Sequence, residues 1–151
     1  MMKKRHVVAM LFIASITMFF AAEKENRHQQ EKMEAKRITD FLIYARNDVK
    51  EVYDDTQDEE ALSTYIESLN KGAKLLVTSE EDQIFLNNIY NEENKRYETK
   101  KGYPFVFEYL GEKTFKISTK TDSQGTCKRM KLDDEDCSQG APYKATLTTN
   151  L

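Results

Sequence analysis

Apolar and polar positions divide this chain into three regimes. From Val7 to Ala22 the residues are apolar or uncharged, about 16 in a row, behind the basic tip Lys3-Lys4-Arg5-His6. A cationic flank ahead of an apolar block is what an export machine reads, and the positive end stays in the cytoplasm. Residues from Glu23 onward are therefore expected outside the inner membrane of a bacterium. Val7, Leu11, Phe12, Ile13, Ile16, Phe19 and Phe20 carry the bulk of the block. It is long for a signal-peptide core and short of the roughly 20 residues that cross about 30 Å of hydrocarbon at 1.5 Å each. Signal peptide and signal anchor both fit residues 1–22. Phe20 stands where an A-x-A-like cleavage site wants a small residue, which favours retention, and Lys24 and Arg27 can snorkel to lengthen a retained helix.

The second regime is helical. Residues 23–36 are almost wholly charged or amide-bearing, without proline or glycine, and read as a polar helical lead. Ile38, Phe41, Leu42, Ala45, Val49, Val52 and Tyr53 then recur at steps of three and four, which places them on one face of an amphipathic helix. Thr56 and Glu59 have capping-box spacing for a second helix with Leu62, Tyr65, Ile66 and Leu69 as its stripe, and Gly72 stands where a left-handed residue would end it. Lys74 to Val77 reads as a connector. Thr78 with Glu81 repeats the capping spacing for a third helix whose apolar face is Phe85, Leu86, Ile89, Tyr90 and Tyr97.

After the polar stretch Asn91 to Lys101 the period changes to two. Tyr103, Phe105, Phe107 and Tyr109 alternate with Pro104, Val106, Glu108 and Leu110, a strand signature. Gly111-Glu112 suits a two-residue hairpin, and Phe115 and Ile117 alternate on the return strand. Lys120 to Thr126 reads as loop, Cys127 to Leu132 as a third strand, Asp133 to Pro142 as a loop, and Tyr143, Ala145 and Leu147 as a last strand. Helices first and an antiparallel sheet afterwards define an α+β domain, with amphipathic helices packed on a small antiparallel sheet. Residues 37–151 are expected to form that single extracytoplasmic domain, with the aromatic row of the first strand turned into its core rather than outward as a binding platform.

Composition narrows the partners. The chain of 151 residues carries 23 basic and 26 acidic side chains, and beyond residue 22 the balance is 20 against 26. Nucleic acid requires clustered positive charge, so this balance argues against it. The two cysteines, Cys127 and Cys137, have nine residues between them, and in an oxidising compartment they are expected to pair. Closing an 11-residue loop is worth about 3 kcal/mol in the chain-entropy account. A zinc site needs three or four ligands, and the only histidines, His6 and His28, lie far upstream.

Chemistry is sparse. Nucleophilic catalysis needs a base beside Ser, Cys or Thr, yet His28 is the sole histidine beyond the apolar block. Glycines are isolated, so no phosphate loop is visible. The run Asp133-Asp134-Glu135-Asp136 offers oxygen ligands, but read as an EF-hand loop from Asp134 it has Gln139 in place of glycine and Ala145 in place of the closing glutamate. The alternatives are a non-standard calcium loop, a plain acidic loop, or an interaction loop in which these acids face Lys128, Arg129 and Lys131. No cofactor, catalytic residue or small-molecule substrate is expected.

A basic leader, an apolar helix continuing into an amphipathic one, a later antiparallel sheet and a loop bounded by Cys127 and Cys137 together resemble the layout of type IV pilins and pseudopilins. The family's glycine ahead of the apolar segment and its early glutamate have no counterpart: the first glycine is Gly72, and Val7 to Ala22 holds no acid. The resemblance implies a hydrophobic helix in an assembly core, an outward sheet, and a cysteine-bounded loop that touches other subunits. It points to a non-enzymatic envelope protein, pilin-like or an accessory of a pilus or secretion assembly, held in the inner membrane through residues 7–22 and acting on protein partners. A cleaved, soluble periplasmic or secreted binding or inhibitor protein is the alternative.

Overall fold

A computed structural model describes the backbone of residues 2–76, 79–132 and 135–151, and the side chains among them from residue 24 on. The element order is α1 (Met2–Thr56), α2 (Glu59–Asn70), α3 (Glu80–Ile89), β1 (Tyr90–Asn91), β2 (Arg96–Tyr97), β3 (Val106–Gly111), β4 (Thr114–Thr121), α4 (Gln124–Met130) and β5 (Tyr143–Asn150). Two antiparallel sheets result, β1-β2 and β3-β4-β5. The α+β class and the three helices ahead of the first strand are as expected, while α4 interrupts the later run of strands between β4 and β5. Among the described residues no helix is long and apolar enough to cross a membrane. The expected membrane segment, with Val7, Leu11, Phe12, Ile13, Ile16, Phe19 and Phe20, has its side chains outside the described residues.

The period of three to four along α1 produces one buried stripe. Ala35, Ile38, Phe41, Leu42, Ala45, Val49 and Tyr53 are all buried, while Val52 lies at the margin. Leu62, Ile66 and Leu69 of α2 and Leu86 and Ile89 of α3 close on it. The sheet contributes Phe105, Phe107, Phe115 and Ile117 from its inward positions. Phe41 is the hub, with ring centroids 4.2 Å from Phe105, 5.0 Å from Tyr97 and 6.3 Å from Phe107. Such tilted and edge-on pairs add to the burial of apolar area that drives the fold. Phe105 and Phe107 of the aromatic row are therefore core, as the alternation indicated, while Tyr103 and Tyr109 are only partly buried.

The helix caps lie within two residues of the expected positions. Asp58, not Thr56, caps α2, its carboxylate accepting from the Glu60 amide at 2.9 Å. Thr56 is the last residue of α1 and donates its hydroxyl to the Val52 carbonyl. Ser79 caps α3; Thr78, expected in that place, lies outside the described residues. Gly72 does adopt positive φ, at 105°.

Three further expectations are corrected. Tyr90 and Tyr97 do not extend α3: they face each other across the β1-β2 hairpin, which occupies part of the stretch read as simply polar. The β3-β4 turn is Glu112-Lys113, both with positive φ, since Gly111 pairs with Thr114 beyond an irregularity after Tyr109. The segment Cys127 to Leu132, expected as a strand, contains the end of a helix. Ser123 accepts from the Thr126 amide to start α4, Lys128 and Arg129 stand at its negative end, and Lys131 adopts the left-handed conformation that stops it. The third strand of the sheet is instead β5, paired with β4 from Thr114↔Asn150 to Thr121↔Tyr143.

Candidate functional site

The polar lead runs straight into the domain as part of α1. Lys24 to Gln30 are exposed, contact with α4 begins at His28, and Glu31 meets its N-cap. The Glu31 carboxylate accepts from the Ser123 hydroxyl at 2.7 Å, and the Thr126 hydroxyl donates to the Glu31 carbonyl at 3.4 Å. Gly125 permits this approach: a Cβ there would sit 1.5 Å from Glu31 Oε2. Arg129 reaches the same spot, 3.8 Å from Glu31, and donates from Nη2 to His28 Nδ1 at 3.0 Å.

Beside these contacts an open groove of about 1420 Å³ runs along α1 from Lys24 to Arg37, walled by Asn88–Asn91, the turn Glu98–Gly102 and the segment Thr121–Thr126. The carboxylates among its described lining residues all have internal donors. Glu31 is held by Ser123 and Arg129, and Glu34 accepts from the Lys100 amide at 3.3 Å. Asp122 accepts from the Tyr103 hydroxyl, which holds the Tyr103 phenol above its usual pKa. Glu98 is buried, which alone would raise its pKa, but donors from Arg96, Asn94 and Asn91 outweigh burial and leave it lowered. The cations are spent differently. Arg37 donates to the Asn88 carbonyl at 2.8 Å. Lys24, Arg27, Lys100 and Lys101 form no ion pair among the described residues. The groove thus presents positive charge to solvent although its lining counts both signs.

A second polar cluster is internal. Asp48 is 6 % exposed and accepts from the Tyr65 hydroxyl at 2.5 Å. Burial is the main cause that pushes its pKa from 3.8 to about 6; the Tyr65 hydrogen bond and a backbone hydrogen bond from Leu76 oppose it, while Glu51 adds to it. Around it, tyrosine hydroxyls pin the connector after α2. Tyr97 accepts from the Leu75 amide at 2.7 Å, Tyr44 donates to the Leu76 carbonyl at 2.7 Å, and Tyr90 donates to the Gly72 carbonyl at 2.6 Å.

The expected disulfide is present. Cys127 and Cys137 are bonded with their Cα atoms 5.8 Å apart, tying the buried face of α4 to the loop ahead of β5. Glu135 lies within 4.8 Å of both sulfurs, but the sulfurs are bonded to each other and offer no thiolate to a metal. Of the acidic run, Asp133 and Asp134 lie outside the described residues. Glu135 accepts from the Leu132 amide and Asp136 from Ser138, which lowers the Asp136 pKa. Arg129 turns to His28 and Glu31 instead of to this loop, and among the described residues Lys128 and Lys131 make no ion pair with it. The sequence pattern gave no sign of the groove, because its walls come from four separated segments. No family model, no curated protein and no solved structure matches this chain.

Proposed function

We propose that this chain is a non-enzymatic, membrane-anchored component of a bacterial envelope assembly, pilin-like or an accessory of a pilus or secretion assembly, which works through protein contacts. The observation that carries the reading is α1: one helix, Met2–Thr56, holds the apolar block in its first half and the main core stripe of an α+β domain in its second. A helix shared in this way transmits the position of an anchor to the domain without a flexible joint, because no proline or glycine interrupts it. The Cys127–Cys137 bond supports an oxidising address. Fractionation of the native cell tests the anchored reading. Recovery with the inner membrane, released by detergent and not by salt or carbonate, is the expected result; recovery as a soluble, shortened species would overturn it.

The alternative is a cleaved, soluble binding protein. The open groove beside α1 is the observation that supports it. A mature N-terminus at Glu23 by mass spectrometry would select it.

A further inference from the structure

Unpaired charges of both signs are spread over the chain, but two exposed patches of opposite net sign lie towards the two ends of the described part of α1. At one end the groove mouth carries Arg27, Lys100 and Lys101 without ion-pair partners among the described residues. At the other, residues 51–60 hold six carboxylates and no cation: Glu51, Asp54, Asp55, Asp58, Glu59 and Glu60, all exposed. None of the six forms an ion pair among the described residues. Asp54 and Asp55 stand in the last turn of α1, which contains no basic residue. Carboxylates there face the negative end of the helix dipole and one another, an arrangement that costs stability in the lone chain. The centres of the two patches are separated by roughly 35–40 Å along α1 at 1.5 Å per residue. That is several Debye lengths at physiological salt, so they cannot neutralise each other within one molecule.

We propose that the groove mouth receives the acidic end of α1, residues 51–60, from a second copy of this chain. The contact is heterologous: each pair leaves one mouth and one acidic end unused, so further copies add head to tail. Charge complementarity supplies the choice of occupant, since every copy carries both a mouth whose groups without internal partners are cations and an end where six carboxylates outnumber the nearby Lys50 and Lys113. The groove suits a helix end in size, as the stretch of α1 beside it is about 20 Å long and a helix with side chains is about 10–12 Å across. The inference names the partner of the site under the reading of this chain as a protein-contact component.

The test uses the full chain in non-ionic detergent micelles, followed by sedimentation over a range of concentration and salt. The wild-type chain is expected to self-associate at low salt and to dissociate as sodium chloride rises towards 1 M. Two charge-reversed proteins, Lys100→Glu/Lys101→Glu and Asp54→Lys/Asp55→Lys, alter exposed positions, and circular dichroism checks that both fold. Each is expected to self-associate at least about tenfold more weakly than wild type. Mixed together they are expected to recover association, because the intact mouth of one meets the intact acidic end of the other. Association that ignores salt would assign it to the apolar block and overturn the proposal. So would wild-type behaviour in either variant, or failure of the mixture to pair. Loss in the lysine variant alone would also overturn it, and would point the mouth towards an anionic lipid surface, readable as binding to phosphatidylglycerol vesicles. Failure here leaves the fractionation result untouched, and a soluble native protein would leave this association measurable.

Discussion

Asp48 is the residue whose charge conflicts most with its surroundings. It lies in the core stripe of α1, one step from Ala45 and Val52 at helical spacing, and the groups around it are Tyr65, Leu76, Tyr97, Tyr44 and another acid, Glu51. No cation is among them. Because its pKa is raised to about 6 in the folded chain from 3.8, the protonated form is the one the fold prefers. Its contribution is fully present below the unfolded value and is lost as pH rises through about 6. Ionised Asp48 therefore costs up to about 3 kcal/mol at pH 7. Asp48→Asn removes this charge, so the unfolding free energy of the variant relative to wild type is expected to gain about 1–3 kcal/mol between pH 4 and pH 7. Urea titrations at a series of pH values measure the gap, and a gap that stays flat would mean the carboxylate is already compensated. The difference between the two proteins is the quantity to read, because Glu92, Glu98 and Asp136 have lowered pKa values and shift stability the opposite way, losing their contribution as pH falls.

At the scale of elements, the edge strand β3 shows how the helices govern the sheet. Asn70, the last residue of α2, donates to the Phe107 carbonyl at 2.6 Å and accepts from the Phe107 amide at 3.0 Å. One side chain thus occupies the place a further strand would take, which blunts an open edge. Asn70→Ala leaves both backbone groups of a buried residue without their partner, and a loss of about 1–3 kcal/mol is expected in urea unfolding. Asn70→Asp keeps the acceptor but sets a carboxylate against the Phe107 carbonyl, so it should recover little of that loss. Stability within about 0.5 kcal/mol of wild type for Asn70→Ala would show that water replaces the amide. The misread α4 is a lesson at this same scale. Six residues, Cys127 to Leu132, are too few for a period of two to be told from one of 3.6, whereas the capping serine and the basic last turn lay just outside and inside that window.

For the molecule as a whole, the disulfide joins α4, which packs on α1, to the loop that delivers β5 to the sheet. Both ends of the closed loop are thereby fixed to different parts of one core. Cys127→Ala with Cys137→Ala is expected to lower stability by about 3 kcal/mol, and chemical reduction of the wild-type protein should give a similar loss. Equal denaturation midpoints for oxidised and reduced protein would contradict this.

The sequence by itself determined the α1 stripe from Ile38 to Tyr53, the alternation in β3, β4 and β5, and the pairing of Cys127 with Cys137. Each of these depends on local spacing or on a pair of residues with a single possible partner. The tertiary structure alone decided that Arg129 meets His28 and Glu31, that Gly125 lets α4 approach α1, and that Lys100 and Lys101 stand beside the helix that carries Arg27. These are juxtapositions of residues up to about a hundred positions apart, and the free energy that selects them is the burial of the shared core rather than any property of the segments concerned. Asp48 falls between the two: its place in the stripe was legible, but only the packing of Tyr65 and the Leu75–Leu76 connector over it turned a helix-face carboxylate into a buried one.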